Sequence, residues 1–144
     1  MSFLNCRGER MIGFVYINTS LLGYKQAKET GYILCKIGEV EQSLEKRTKI
    51  DAGDVFYHNL AYITAPYGLL TTLESAAHDK LDKYSLAKTP FVRGKIEWFY
   101  MPIKVFVEFL KEPLMGRNWE INKSNEMKLQ LEEWEKILKN GIDQ

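Results

Sequence analysis

Cysteine is scarce in this sequence. Cys6 and Cys35 are the only two in 144 residues, too few for a disulfide framework and too far apart for a CxxC metal pair. Cys35 lies in a β-branched run and reads as a small buried hydrophobe, whereas Cys6 lies near the amino-terminal end. Long apolar runs are missing too, and nothing approaches the roughly 20 residues of a membrane-spanning helix. The opening MSFLNCRGERMIGF lacks the apolar core and small-residue cleavage site of a secretory signal. The expectation is a cytoplasmic protein with no membrane partner. A dominant charge is also absent: 20 Lys and Arg offset 19 Asp and Glu for a net charge of +1. The molecule as a whole therefore does not announce a polyanionic partner. There is no internal repeat and no low-complexity segment.

What is present is ordinary globular material. Hydrophobic residues make up 45% and charged residues 27%, a balance that argues against disorder, and the length suits one compact domain. The cations are biased toward the amino-terminal third, with Arg7, Arg10, Lys25, Lys28, Lys36, Lys46, Arg47 and Lys49. Such a bias suits either a phosphate-rich ligand or a solvated charged surface.

GFVYIN (13–18) and YILCKIGEV (32–40) read as two antiparallel strands joined by a loop from Thr19 to Gly31. A short helix is expected from about Gln42 to Ile50. FYHNLAYITAP is a third strand, ended by Pro66 and Gly68. In LLTTLESAAHDKLDKYS the residues Leu70, Leu73, Ala77, Leu81 and Tyr84 recur at helical spacing. After Pro90, RGKIEWFYMP reads as a bend and a short extended segment, and IKVFVEFLKE as a helix stopped by Pro113. Beyond it, Met127, Leu131, Trp134 and Leu138 form one helical stripe. That stripe either packs back on its own domain or makes a homodimer contact through the C-terminal helix. The expected architecture is an α/β domain with a small three-stranded antiparallel sheet flanked by helices. Its expected divisions are an extension at 1–11, a domain at 12–112 and a helical tail at 113–144.

Several residues within that frame suit chemistry. Glu74 lies at the edge of the apolar face of the best-defined helix, with His78 one turn on. This pair can share a hard divalent cation or interact directly. Tyr16 and Lys36 sit on the paired strands, and Gly38 lets the chain or a phosphate approach closely. Arg47 follows on the next helix. Each has a plain structural explanation as core, edge or solvated surface, and the set draws attention where the single residues do not.

GFVY at 13–16, CKIG at 35–38, Arg47 eleven residues after Lys36 and LESAAH at 73–78 together resemble the GIY-YIG endonuclease superfamily. The resemblance is to the phage and bacterial branch with KIG in place of YIG. The segment 94–110, with its EWF, resembles the end of that branch's domain. The resemblance spans roughly Ile12 to Leu110. It implies a DNA endonuclease using one Mg²⁺ or Mn²⁺ ion, with Tyr16 and Lys36 at the signature positions, Arg47 on the phosphate and Glu74 as metal ligand. Tyr16 would act as base or water-orienting group, and Lys36 would hold the scissile phosphate or assist proton removal. His78 would orient Glu74, contact DNA or protonate the leaving group, and Glu97 would pair with Arg93 or Lys95. The sequence also departs from the family: Phe14 and Val15 replace the first residues of the signature, Asp51 stands where many members have histidine, and no late asparagine is evident. A catalytically silent DNA- or protein-binding module is the alternative.

Overall fold

The computed structural model describes residues 11–41, 57–88, 97–122 and 125–139. The expected helix from Gln42 to Ile50, with Arg47, lies outside the described residues, as do Cys6, Arg93 and Lys95. The elements are β1 (Ile12–Ser20), α1 (Leu21–Thr30), β2 (Tyr32–Val40), β3 (Tyr57–Pro66), α2 (Tyr67–Lys80), β4 (Trp98–Pro102), α3 (Ile103–Lys111), β5 (Glu120–Ile121) and α4 (Asn125–Lys139). Two short 3₁₀ turns, Asp82–Tyr84 and Leu86–Lys88, follow α2.

The α/β class is as expected, but the sheet has five strands rather than three, in the order β4-β2-β1-β3-β5. Every pairing is antiparallel. The extended segment before α3 joins the sheet as an edge strand, closed by Pro102, where a missing N–H does least harm. The other addition, β5, has only two residues, too few to show alternation in a sequence. A tight reversal at Leu114–Arg117 precedes it, with Met115 at φ 51° and Gly116 at φ 79°. The two end residues exchange hydrogen bonds of 2.8 and 3.0 Å.

The supposed loop from Thr19 to Gly31 is instead α1. Ser20 caps it by accepting the Gly23 N–H at 2.9 Å, and Gly31 ends it in the left-handed region at φ 76°. Gly23, which made the segment look like a loop, is needed for packing. A Cβ there would fall 2.7 Å from Thr19 Oγ1 and 3.2 Å from the Leu34 carbonyl.

Directly opposed residues of an antiparallel pair share a face. Register therefore puts Phe14, Tyr16, Asn18, Leu34, Lys36, Gly38, Tyr62, Trp98 and Tyr100 on one face of the sheet. Their neighbours Val15, Ile17, Ile33, Cys35, Ile37, Ile63, Phe99 and Met101 lie on the other. This second set forms a single core with Ala27 of α1, Leu70, Leu73 and Ala77 of α2, and Phe106, Val107, Phe109 and Leu110 of α3. The described helices thus pack on one face, and the face that carries Tyr16 and Lys36 contributes nothing to that core.

The tail joins the same body. Within the C-terminal stripe Leu131 packs against the core, and Trp134 meets Phe106 edge to face at 6.0 Å. Trp134 is 1% exposed, so it packs inward. The side chains of Met127 and Leu138 lie outside the description. Among the described residues no helix is long and apolar enough to cross a membrane.

Cys35 is buried and unbridged, and burial pushes its thiol up from 9.0 to about 12. The folded state therefore favours the neutral thiol. That contribution is intact below about pH 9 and is lost as pH rises toward 12. Denaturation midpoints measured across this window should fall less steeply in Cys35→Ala than in the parent chain, and equal slopes would contradict the assignment.

Candidate functional site

Lys36, Ile37 and Gly38 form the hub of the candidate site. Gly38 lies directly opposite Tyr16, and the tyrosine ring crosses it. A Cβ on Gly38 would fall 2.6 Å from the Tyr16 hydroxyl oxygen, 2.9 Å from its Cζ and 3.0 Å from Glu97 Oε2. Any side chain here would displace the tip of the tyrosine. The bare backbone lets the phenol and the carboxylate converge on one spot. Tyr16 is 0% exposed, while Glu97 keeps part of its surface in solvent.

Ile37 holds the site from both sides. Its N–H donates to the Glu97 carbonyl at 2.9 Å, which continues the β2–β4 contact one step beyond the Lys36–Trp98 pair. Its carbonyl lies 2.9 Å from His78 Nε2. A carbonyl only accepts, so Nε2 carries the proton and donates it there. The imidazole ring also leans on Phe99, 5.0 Å between centroids. His78 is thereby a clamp between α2 and β2, and its Nε2 proton is committed to the backbone.

Glu74, one turn earlier on α2, is 5% exposed, and its Oε1 lies 3.7 Å from His78 Nε2. This is ion-pair range but longer than a hydrogen bond. A turn further back, Thr71 donates to Glu39 Oε1 at 3.2 Å, and Glu39 Oε2 is buried without a hydrogen-bond partner. One edge of α2 is therefore docked along residues 37–39 of β2. Tyr16 and Lys36 approach this segment from one face of the sheet, Glu74 and His78 from the face that carries α2. Arg47 lies outside the described residues.

Lys36 is half-buried and sits opposite both Asn18 and Trp98. Asn18 belongs to an amide network that sequence reasoning missed. The register shifts after Ile17, from Ile17–Ala61 to Asn18–Asn59, leaving Leu60 as the extra residue of a bulge. Asn59 Nδ2 donates to Asn18 Oδ1 at 3.0 Å and to the Ala61 carbonyl at 3.2 Å. Asn59 Oδ1 in turn accepts from Asn122 at 3.4 Å. These bonds fix the bulge beside Lys36. The available signal was the strand period of two, which puts Asn18 on the face of Tyr16.

Among the described residues no group of three or more His, Cys, Asp or Glu could hold a metal ion. A closed structural zinc site is thus absent from that part of the chain. The chain matches no protein-family model, no curated protein and no solved structure.

Gly38→Ala tests the hub. Forcing a Cβ against the tyrosine tip should cost about 1–3 kcal/mol, as overpacking generally does. Adding Tyr16→Phe should recover only part of this, because Cζ remains in the way. Urea unfolding of the single and double variants reads both effects, and a Gly38→Ala chain as stable as the parent would show that the close approach is not real.

Proposed function

We propose that the chain is a divalent-metal-dependent DNA endonuclease that hydrolyses phosphodiester bonds through a GIY-YIG-type site. The observation that carries this reading is the convergence on Lys36–Ile37–Gly38. The tyrosine of the first signature lies over the glycine of the second, and the helix bearing Glu74 is clamped to the residue between them. DNA is the partner implied by the resemblance.

Hydrolysis requires the phosphate to be held and its charge neutralised while water attacks. Lys36, half-buried on the face of Tyr16, supplies a cation for the scissile phosphate, and Arg47 is assigned the same task by resemblance, with its planar fork. Glu74 would hold the Mg²⁺ or Mn²⁺ ion, and His78 fixes the helix that presents it. Such an ion, when bound, acts as Lewis acid on the phosphoryl group. Tyr16, to which the resemblance assigns the role of base or water-orienting group, lies buried beside this segment.

A specific observation favours a second reading, a catalytically silent module that binds DNA or protein. Tyr16 is wholly buried, and the His78 proton is bound to a carbonyl, as residues kept for structure would be. Supercoiled plasmid incubated with Mg²⁺ or with chelator separates the two. The nuclease converts it to nicked or linear forms only with the metal, and Glu74→Ala or Arg47→Ala lowers the rate by at least about 10²-fold, the scale of losing one electrostatic stabiliser. Full activity in Glu74→Ala would dispose of the metal assignment, and intact plasmid under every condition would favour the silent module.

A further inference from the structure

We propose that Glu97 is the general base of this site, taking the proton from the attacking water beside the buried Tyr16 phenol. The proposal rests on the nuclease reading and deepens it. The chemistry first sets the requirement: tyrosine and lysine have reference pKa values of about 10 and about 10.4, so both are protonated at neutral pH, whereas a carboxylate is ionised. The geometry then selects the carboxylate. Glu97 Oε2 and the Tyr16 hydroxyl converge on the bare backbone of Gly38, 3.0 and 2.6 Å from the point a Cβ would occupy.

Access separates the two groups. Tyr16 has 0% exposure, whereas Glu97 is partly exposed, so Glu97 is the member of the pair that water reaches. Its backbone is fixed by the 2.9 Å bond from the Ile37 N–H, and the next residue, Trp98, pairs with Lys36. Among the described residues, the titratable groups of the elements packed here are Tyr16 from β1, Lys36 from β2, and His78 with Glu74 from α2. β2 also carries Glu39, which by strand alternation faces α2 and is held by Thr71.

The step balances without a further reactant. The water oxygen forms its bond to phosphorus as one of its protons passes to Glu97. The bond from phosphorus to the 3′ oxygen breaks, and its electron pair goes to that oxygen. Solvent protonates this oxygen to a 3′-hydroxyl, the other product keeps a 5′-phosphate, and Glu97 returns its proton to bulk water.

Glu97→Gln keeps the shape and removes the base. Its cleavage rate at pH 7 should fall by at least about 10²-fold, with DNA affinity measured in Ca²⁺ unchanged and the acidic limb of the rate–pH profile lost. A readout independent of cleavage is ¹³Cζ-tyrosine NMR. The Tyr16 resonance, assigned with Tyr16→Phe, should shift as a carboxylate titrates in the parent chain and should not in Glu97→Gln. If Glu97→Gln does not fold, Glu97→Asp withdraws the carboxylate by one methylene and should be slower with the acidic limb kept; an undiminished rate there overturns the assignment. A wild-type rate and profile in Glu97→Gln, beside an inactive Glu74→Ala, overturns the base and leaves the nuclease reading standing. Absence of metal-dependent cleavage by the parent chain removes both.

Discussion

A hydrogen atom where other residues carry a Cβ governs the candidate site. At Gly38 the sheet has a bare patch, and the Tyr16 phenol and the Glu97 carboxylate occupy the space beside it. Tyr16 is fully buried there. The neighbouring peptide is equally committed, because Ile37 gives its N–H to Glu97 and its carbonyl to His78. Three consecutive residues of β2 thus join one strand, the end of another and a helix. Buried backbone groups must find partners, and here the partners are the candidate residues Glu97 and His78.

The one-sided layering explains why the site lies at β2. The core gathers one face of the sheet and the apolar faces of α1, α2 and α3, so the alternate residues of β1 and β2 are released from core packing. Those residues include a buried tyrosine, a lysine and an asparagine, a composition that a core face does not support. Glu74 comes from the helical side and is almost fully buried at the rim of the core. Its Oε1 is near the clamped imidazole of His78, so a shift of α2 against β2 would move the carboxylate and break the bond to Ile37 together. Exposed ion pairs such as Lys28–Glu133 and Lys111–Glu135 contribute little by comparison. Trp134 and Phe106 hold α4 in place instead.

Much of this was legible in the sequence because it depends on periodicity. The three long strands, the apolar face of α2 through Leu70, Leu73 and Ala77, and the stop of α3 before Pro113 follow from spacing and breakers. Segments too short or too mixed for a period were not legible. The helix α1 was hidden by Gly23, whose missing side chain serves a close approach to Leu34. The strand β5 has two residues and depends on its neighbour β3. At the site, the sequence pointed to Tyr16, Lys36, Glu74 and His78 as a set. It did not show that Tyr16 and Glu97 meet across Gly38, or that an asparagine network fixes a bulge beside Lys36, because both depend on register between distant segments.

The central claim is that one hard cation belongs at Glu74, beside the Lys36–Ile37–Gly38 hub. A crystal structure of the chain grown with Mn²⁺, using anomalous scattering to locate the ion, tests it most directly. The predicted result is a single Mn²⁺ bound to the Glu74 carboxylate with most of its remaining ligands water. Anomalous density elsewhere, or none near Glu74 at a Mn²⁺ concentration that supports cleavage, would contradict it.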